Sequence, residues 1–396
     1  MNPSHSSAAP APAIAVLLLP LMAVVAIAFL IVGMALPVLP LHVHQALGFS
    51  TFVVGLVAGS QSAASFVSRF PAGHYADTRG AKRAVAIGLA TASAAGLLYV
   101  VSLQLDARPV ASVATLIAGR AVLGVAESFV ITGALSWGLG LVDASSTGKV
   151  IAWMGTAMYA GFAAGAPLGT WLYAGHGFTA VAWATVLGPL PAALLIRGLR
   201  PVAARHRETA GLARVVRAIA GPGVGLAFGS LGFGATTTFI ALLFAARGWD
   251  HAWMAFTGFA AAFIAARALF GHLPDRIGGA RIALYCIFVE AAGLLSIWLA
   301  PGPGVALAGS LLTGFGYSLV YPGFGVEAVR RTPPAQRGLA MGTYTAFLDL
   351  ALGIAGPALG LVAGAAGLGA VFAVSAVVVL CGAVVAWRLL PAPADR

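Results

Sequence analysis

The chain has 396 residues, 60% of them hydrophobic and 8% charged, with 22 Lys and Arg against 11 Asp and Glu for a formal charge of +11. A soluble domain carries about 25% charged residues, so a chain this poor in charge cannot cover itself in water. The charges stand in short islands between apolar stretches of about 20 residues or more, each long enough to cross a bilayer core. The basic excess would suggest nucleic acid in a soluble protein, but here it follows the loops of a polytopic membrane protein.

The first apolar segment, residues 14–37, has no Lys or Arg before it and is longer than a signal-peptide core, so it reads as a retained first helix. In chain order the spans fall near 14–38, 50–72, 83–103, 110–138, 149–173, 178–197, 218–245, 252–270, 281–300, 304–328, 338–363 and 367–388. That is an all-α protein of 12 transmembrane helices. The arginine-rich stretch RGLRPVAARHRETAGLARVVR separates six spans from six, predicting bundles at 1–199 and 218–396 joined by a linker at 200–217. An even number of spans puts both termini on one side. Loops on that side hold 17 of the 22 basic residues, and the opposite loops hold Arg108 and Arg247, so the positive-inside rule makes both termini and the linker cytoplasmic. Cys286 and Cys381 lie inside apolar stretches with no metal-ligand spacing around them and read as small core residues.

The two halves share more than a span count. RFPAGHYADTRG begins at Arg69 and RALFGHLPDRIG at Arg267; Arg, Gly, His, Asp and Gly recur at an offset of 198, half the chain. A period so long indicates a duplicated domain. Each copy falls in the loop between the second and third helices of its half. There the sequence resembles the major facilitator superfamily, whose signature in that loop is G-x-x-x-D-R-x-G-R-[RK]. Gly73, Asp77, Gly80 and Lys82 match in the first copy, where Thr78 replaces the usual arginine. Gly271, Asp275, Arg276 and Gly278 match in the second, which lacks the trailing basic pair. The resemblance implies two pseudo-symmetric six-helix bundles and an alternating-access cycle. It also implies that Asp77 docks on the helix starting near residues 336–341 and Asp275 on the one starting near 145–150, as latches that close the cytoplasmic side. The alternative is a tight, solvated turn held by nearby arginines.

The fifth span carries Gly161, Gly165 and Gly169 every four residues with Pro167 between, and the eleventh carries Gly353, Gly356, Pro357 and Gly360. Such stripes pack helices closely, and proline removes a backbone bond. The fifth-helix pattern resembles that of drug-proton antiporters, although Ala166 and Thr170 interrupt the match. In the fourth span Arg120, Gly124 and Glu127 share one helical face. Charges at that depth must face protein or water, so they are expected to line a central cavity. The R-x-x-x-G spacing resembles the family's fourth-helix motif, which implies a role for Arg120 in proton transfer with Glu127 as carrier; a structural ion pair is the alternative. Asp349, mid-span in the eleventh helix, either titrates or pairs with a cation such as Arg120 or Arg267. Gln61, Tyr159, Tyr317, Tyr321 and Tyr344 are candidates to hydrogen-bond a substrate, while Glu290 in the ninth span and His42 and His44 at the outer mouth are weaker ones.

No P-loop, H-E-x-x-H, G-x-S-x-G or paired Cys/His set occurs, which points away from an enzyme, an ATP-driven pump or a metal site. The expectation is a secondary transporter in a bacterial cytoplasmic (inner) membrane, working without cofactor or metal as a monomer. Its partners are a small organic solute, protons and the bilayer, and not nucleic acid. Proton-coupled export is the first expectation, and uptake of a sugar or organic acid the alternative.

Overall fold

The computed structural model describes residues 11–142, 147–202, 212–333 and 336–390, and every regular element among them is helical. Eleven segments are long and apolar enough to cross a membrane. One of these, Lys149–Arg197, is 49 residues long and turns at Gly177 (φ 65, ψ −165), a conformation for which only glycine is suited, so it makes two crossings. The crossings are α1 (Ala11–Ala35), α2 (Thr51–Arg79), α3 (Ala81–Leu103), α4 (Pro109–Leu141), α5 (147–176), α6 (178–197), α7 (Ala213–Ala246), α8 (Trp253–Phe270), α9 (Gly279–Trp298), α10 (Pro303–Arg330), α11 (Arg337–Ala366) and α12 (Leu368–Arg388). Twelve spans were expected and the structure has them.

Packing follows the duplication. In the first half α2 and α3 lie on α4, α3 on α6 and α1 on α5; in the second, α8 and α9 lie on α10, α9 on α12 and α7 on α11. The halves meet through α2 against α11 and α5 against α8, again an equivalent pair. Residues 203–211 of the expected linker lie outside the described residues. Its start is tied down: Lys82 Nζ donates to the carbonyls of Arg197 (3.0 Å) and Leu199 (2.7 Å), and Trp137 Nε1 to that of Arg200 (3.0 Å).

The repeated motif is a helix end and a corner, where the sequence suggested a loop. In the first copy α2 stays helical through Pro71 to Arg79, and Gly80 alone separates it from α3. In the second a short helix, Leu273–Ile277, precedes Gly278. Gly80 (φ 99, ψ 140) and Gly278 (φ 104, ψ 136) hold nearly the same backbone conformation, one that side chains other than hydrogen rarely tolerate. That shared corner explains why the glycine recurs at the 198-residue offset.

The two glycine stripes serve different contacts. On α5 a Cβ on Gly161, Gly165 or Gly169 would stand 2.0–2.5 Å from the carbonyl oxygens of Ala26, Leu30 and Met34 on α1, within one half. On α11 a Cβ on Gly356 would stand 2.3 Å from the Gly55 carbonyl of α2 and one on Gly360 2.4 Å from that of Thr51, while Gly353 faces Ala63. The second stripe therefore joins the halves, and the Thr51 hydroxyl donates to the Gly360 carbonyl at 2.8 Å. Both Pro167 and Pro357 are accommodated inside continuous helices.

Candidate substrate and coupling cavity

Between the halves lies a cavity of about 240 Å³. Away from the linker it is shut. Val38, Leu39 and Val43 after α1, Val54 on α2 and Phe239–Phe244 on α7 are all at most 4% exposed. Toward the linker its lining reaches Leu135 on α4 and Ile151 on α5, the latter 39% exposed. The arrangement is closed on the far face and open toward the linker face.

Five charged side chains line this cavity: Arg69, Arg120, Glu127, Arg267 and Asp349. Apolar walls cannot hold isolated charges cheaply, so where each finds a partner decides what the site can do. Arg69 Nε donates to Asp349 Oδ2 at 2.5 Å, an ion pair between the halves with side chains 12% and 7% exposed. Arg69 Nη2 also reaches Ser65 Oγ at 3.3 Å, and Ser65 and Ser128 hydroxyls bond at 3.0 Å across α2 and α4. Arg120 and Arg267 were the expected partners of Asp349; the chain uses Arg69, inside the second span.

Glu127 forms no ion pair with Arg120. Its Oε2 accepts a hydrogen bond from Gln61 Nε2 at 2.7 Å. Gly124 makes this possible: a Cβ there would stand 2.0 Å from the Gln61 carbonyl, so only glycine lets α2 approach α4 closely enough. Arg120 is 4% exposed, and its Nε and Nη1 have no acceptor. Arg267 donates Nη2 to the Ser318 carbonyl at 2.9 Å and lies 4.7 Å over the Phe263 ring, leaving Nε without an acceptor.

An aromatic wall completes the site. Tyr159 stacks on Phe263 (3.5 Å between centroids) and Tyr317 on Phe233 (5.7 Å). Of the five expected polar contacts, Gln61, Tyr159, Tyr317 and Tyr321 line the cavity; Tyr321 hydroxyl bonds Thr345 at 2.8 Å. Tyr344 stands behind them, donating to the Tyr321 carbonyl at 2.8 Å. Glu290 is fully buried outside the lining, walled by Gly232 and Gly316, with no bond to either carboxylate oxygen. His42 stacks on Phe178 at 4.4 Å, and His44 Nδ1 bonds the Phe49 carbonyl at 2.7 Å.

At the linker face, Asp77 is half-buried in the last turn of α2. Asp275 and Arg276 are exposed and make no hydrogen bond or ion pair among the described residues. The start of the helix expected to receive Asp275 lies partly outside them. The corner of the second copy has an acid the sequence did not single out. Glu327, its side chain 5% exposed at the end of α10, bonds Arg331 Nη1 at 2.7 Å and faces the Ala280 amide at 3.4 Å. Ala280 occupies the place of Lys82, so a carboxylate at the start of α9 stands where the first copy has an ammonium at the end of α6. Arg330 and Arg331, three and four residues on, were the available signal.

Two bundles built alike thus face each other across a charged, half-open cavity. The family model of the Major Facilitator Superfamily matches residues 21–256 and again 223–396. The chain belongs to the major facilitator superfamily. An uncharacterised MFS-type transporter of Burkholderia mallei (strain SAVP1) is 45% identical over 362 residues, covering 90% of this chain and 88% of that protein. An MFS-type transporter of Salmonella typhimurium is 42% identical over 362 residues, covering 91% and 93%. Among solved structures, a D-xylose-proton symporter superposes with a TM-score of 0.77 at 13% identity, covering 95% of this chain and 98% of that one. The human organic anion transporter MFSD10 gives 0.71 at 16% identity, covering 95% and 100%. At these identities the structural likeness speaks for the fold alone. Membership makes this chain a multi-pass membrane transporter of the superfamily.

Proposed function

We propose that the protein is a secondary active transporter that exports a small organic solute from the bacterial cytoplasm in exchange for protons, its termini cytoplasmic. The observation that supports this most is the placing of two carboxyl groups, Glu127 on α4 and Asp349 on α11, in the one cavity shared by the halves. They are held by different kinds of partner: Asp349 by an arginine of the other half, Glu127 by a neutral amide. A coupling carboxyl must hold its proton differently in the two states of the cycle, and a pair that spans the moving interface does so when the halves rock. Asp349 thus links protonation to conformation, and Glu127, beside Gln61, carries the proton. Export is chosen on the likeness of the α5 glycine pattern to that of antiporters. That stripe packs closely on α1 here.

Asp77 acts as a latch on the start of α11 when the linker face closes, and Asp275 is its pseudo-symmetric counterpart, released in the open arrangement described above. Asp77→Asn should leave the protein folded and lengthen the time spent open to the linker face, read as faster labelling of a cysteine introduced at Ile151. Unchanged labelling and unchanged transport would remove the latch.

The coupling role is tested by proteoliposomes containing a pH-sensitive dye. Glu127→Gln is expected to abolish substrate-driven proton flux, a loss of at least tenfold, while substrate still binds. Proton flux persisting at the wild-type rate in this variant excludes Glu127 as the carrier.

A further inference from the structure

The duplication carries an asymmetry that bears on the substrate. Arg69 on α2 and Arg267 on α8 are repeat equivalents, 198 residues apart. Each projects across the interface between the halves. Arg69 meets α11 and finds Asp349. Arg267 meets α5, where the residue facing it is Gly155: a Cβ built there would stand 3.1 Å from Nη1. One arginine of the pair has a carboxylate; the other has a glycine and open cavity.

We propose that the cavity takes a small organic anion, and that its carboxylate or equivalent acidic group binds Arg267 in the place that Asp349 holds opposite Arg69. This deepens the transporter reading above and rests on it. Four observations converge. The buried Nε of Arg267 has no acceptor among the described residues, and the hydrogen bond Arg267 makes there is from Nη2 to a backbone carbonyl that bears no charge. Arg267 makes no ion pair among the described residues, so its charge is balanced neither by Glu127 nor by Asp349. Arg120, 4% exposed on the opposite half, adds two more N–H groups without acceptors to the same lining. The cavity therefore holds three guanidinium groups against two carboxyls, and an arginine left in apolar surroundings is a strong receptor for a bidentate anion.

The wall beside Arg267 tells what the rest of the molecule is like. Phe263 lies under the guanidinium, Tyr159 stacks on Phe263, and Tyr317 and Phe233 continue the surface. A ligand with an acidic head and a flat or apolar body fits both parts. A volume of about 240 Å³ is small beside pockets of about 300–1,000 Å³ that hold drug-sized ligands, so the solute is a metabolite-sized acid. Gly155 is then a specificity position: its missing side chain is the space for the acidic head.

The test uses the purified full-length protein in detergent and thermal unfolding with matched pairs of probes: phenylacetate and phenylacetamide, gluconate and gluconamide, benzenesulfonate and benzenesulfonamide. At least one anion is expected to raise the unfolding temperature while its uncharged twin does not. Arg267→Gln should weaken that anion's binding at least tenfold, with Arg267→Lys recovering part of it. Gly155→Asp supplies an internal carboxylate, so it should raise the unfolding temperature without ligand and abolish the response to the anion. These readouts do not depend on the Gln variant folding, because the wild-type comparison and Gly155→Asp stand apart from it. Stabilisation by the amides as strongly as by the acids, no response to any anion, or anion binding untouched by both substitutions overturns the proposal. Transport of an anion without proton movement would retire the coupling reading and leave this one standing; proton-coupled transport of a neutral solute unaffected by Arg267→Gln would do the reverse.

Discussion

Asp349→Asn is expected to lower stability by about 3–5 kcal/mol, the typical cost of removing one partner from a buried ion pair. The change keeps the shape of the side chain and deletes its charge, leaving Arg69, 12% exposed, without a counter-ion between α2 and α11. The desolvation of the guanidinium is then uncompensated, which outweighs the modest hydrogen bond that Asn can still accept. Arg69→Gln with Asp349→Asn should recover most of the loss, since two neutral amides can bond each other in the same place. Thermal unfolding in detergent of the two single variants and the double variant closes the cycle. If the single variants lose no stability, the pair contributes little and Asp349 is free to act without Arg69. The same substitution should uncouple proton from solute movement, because the ion pair that joins the halves in the cavity has gone.

Gly55→Leu is the second large effect. A Cβ at Gly55 would stand 2.0 Å from the Gly356 carbonyl oxygen, 2.4 Å from its carbon and 2.9 Å from the Pro357 nitrogen. All three are backbone atoms of α11, so no rotamer change relieves the overlap. Overpacking of a tight contact costs about 1–3 kcal/mol and commonly more for a branched side chain against backbone. The contact lies on the half of α2 and α11 away from the linker, where it holds the far face shut. The substitution should therefore part the halves on that face and disfavour the arrangement seen here. Thr237, which lines the cavity, offers a reporter: a cysteine placed there, with Cys381 replaced by serine, should resist an impermeant thiol reagent added from the far side. In the Gly55→Leu background it should react at least tenfold faster and transport should collapse. Unchanged reactivity would mean that the α2–α11 glycine contact does not gate the far side.

Much of the architecture was written in the sequence, because a bilayer forces it. Apolar length gave the spans, the 198-residue recurrence gave the two halves, and two charges of the fourth span, Arg120 and Glu127, stand in the lining of the cavity. What escaped depends on contacts between segments far apart in the chain. Asp349 stood out as a costly acid, but the sequence offered Arg120 and Arg267 as its partners, and only the crossing of α2 with α11 selects Arg69. The repeated motif read as a loop because its polar residues and its proline imitate one; α2 carries them as a helix into interfacial water and turns at Gly80. The two glycine stripes looked alike, yet one packs within a half and the other between halves, a difference in what stands opposite that no stripe reveals about itself. Gly155 gave no signal at all, since a glycine opposite an arginine becomes meaningful only once Arg69 and Asp349 show what is missing there.

The most direct measurement imposes a pH gradient on proteoliposomes in which solute starts equal on both sides, and follows the labelled anion that binds the purified protein. Coupled exchange predicts uphill accumulation on the side from which protons leave, about tenfold per pH unit for one proton exchanged per anion with the membrane potential clamped at zero, and none with Glu127→Gln. Solute that stays equal on both sides while exchanging freely through the wild-type protein would contradict proton coupling and leave a passive facilitator.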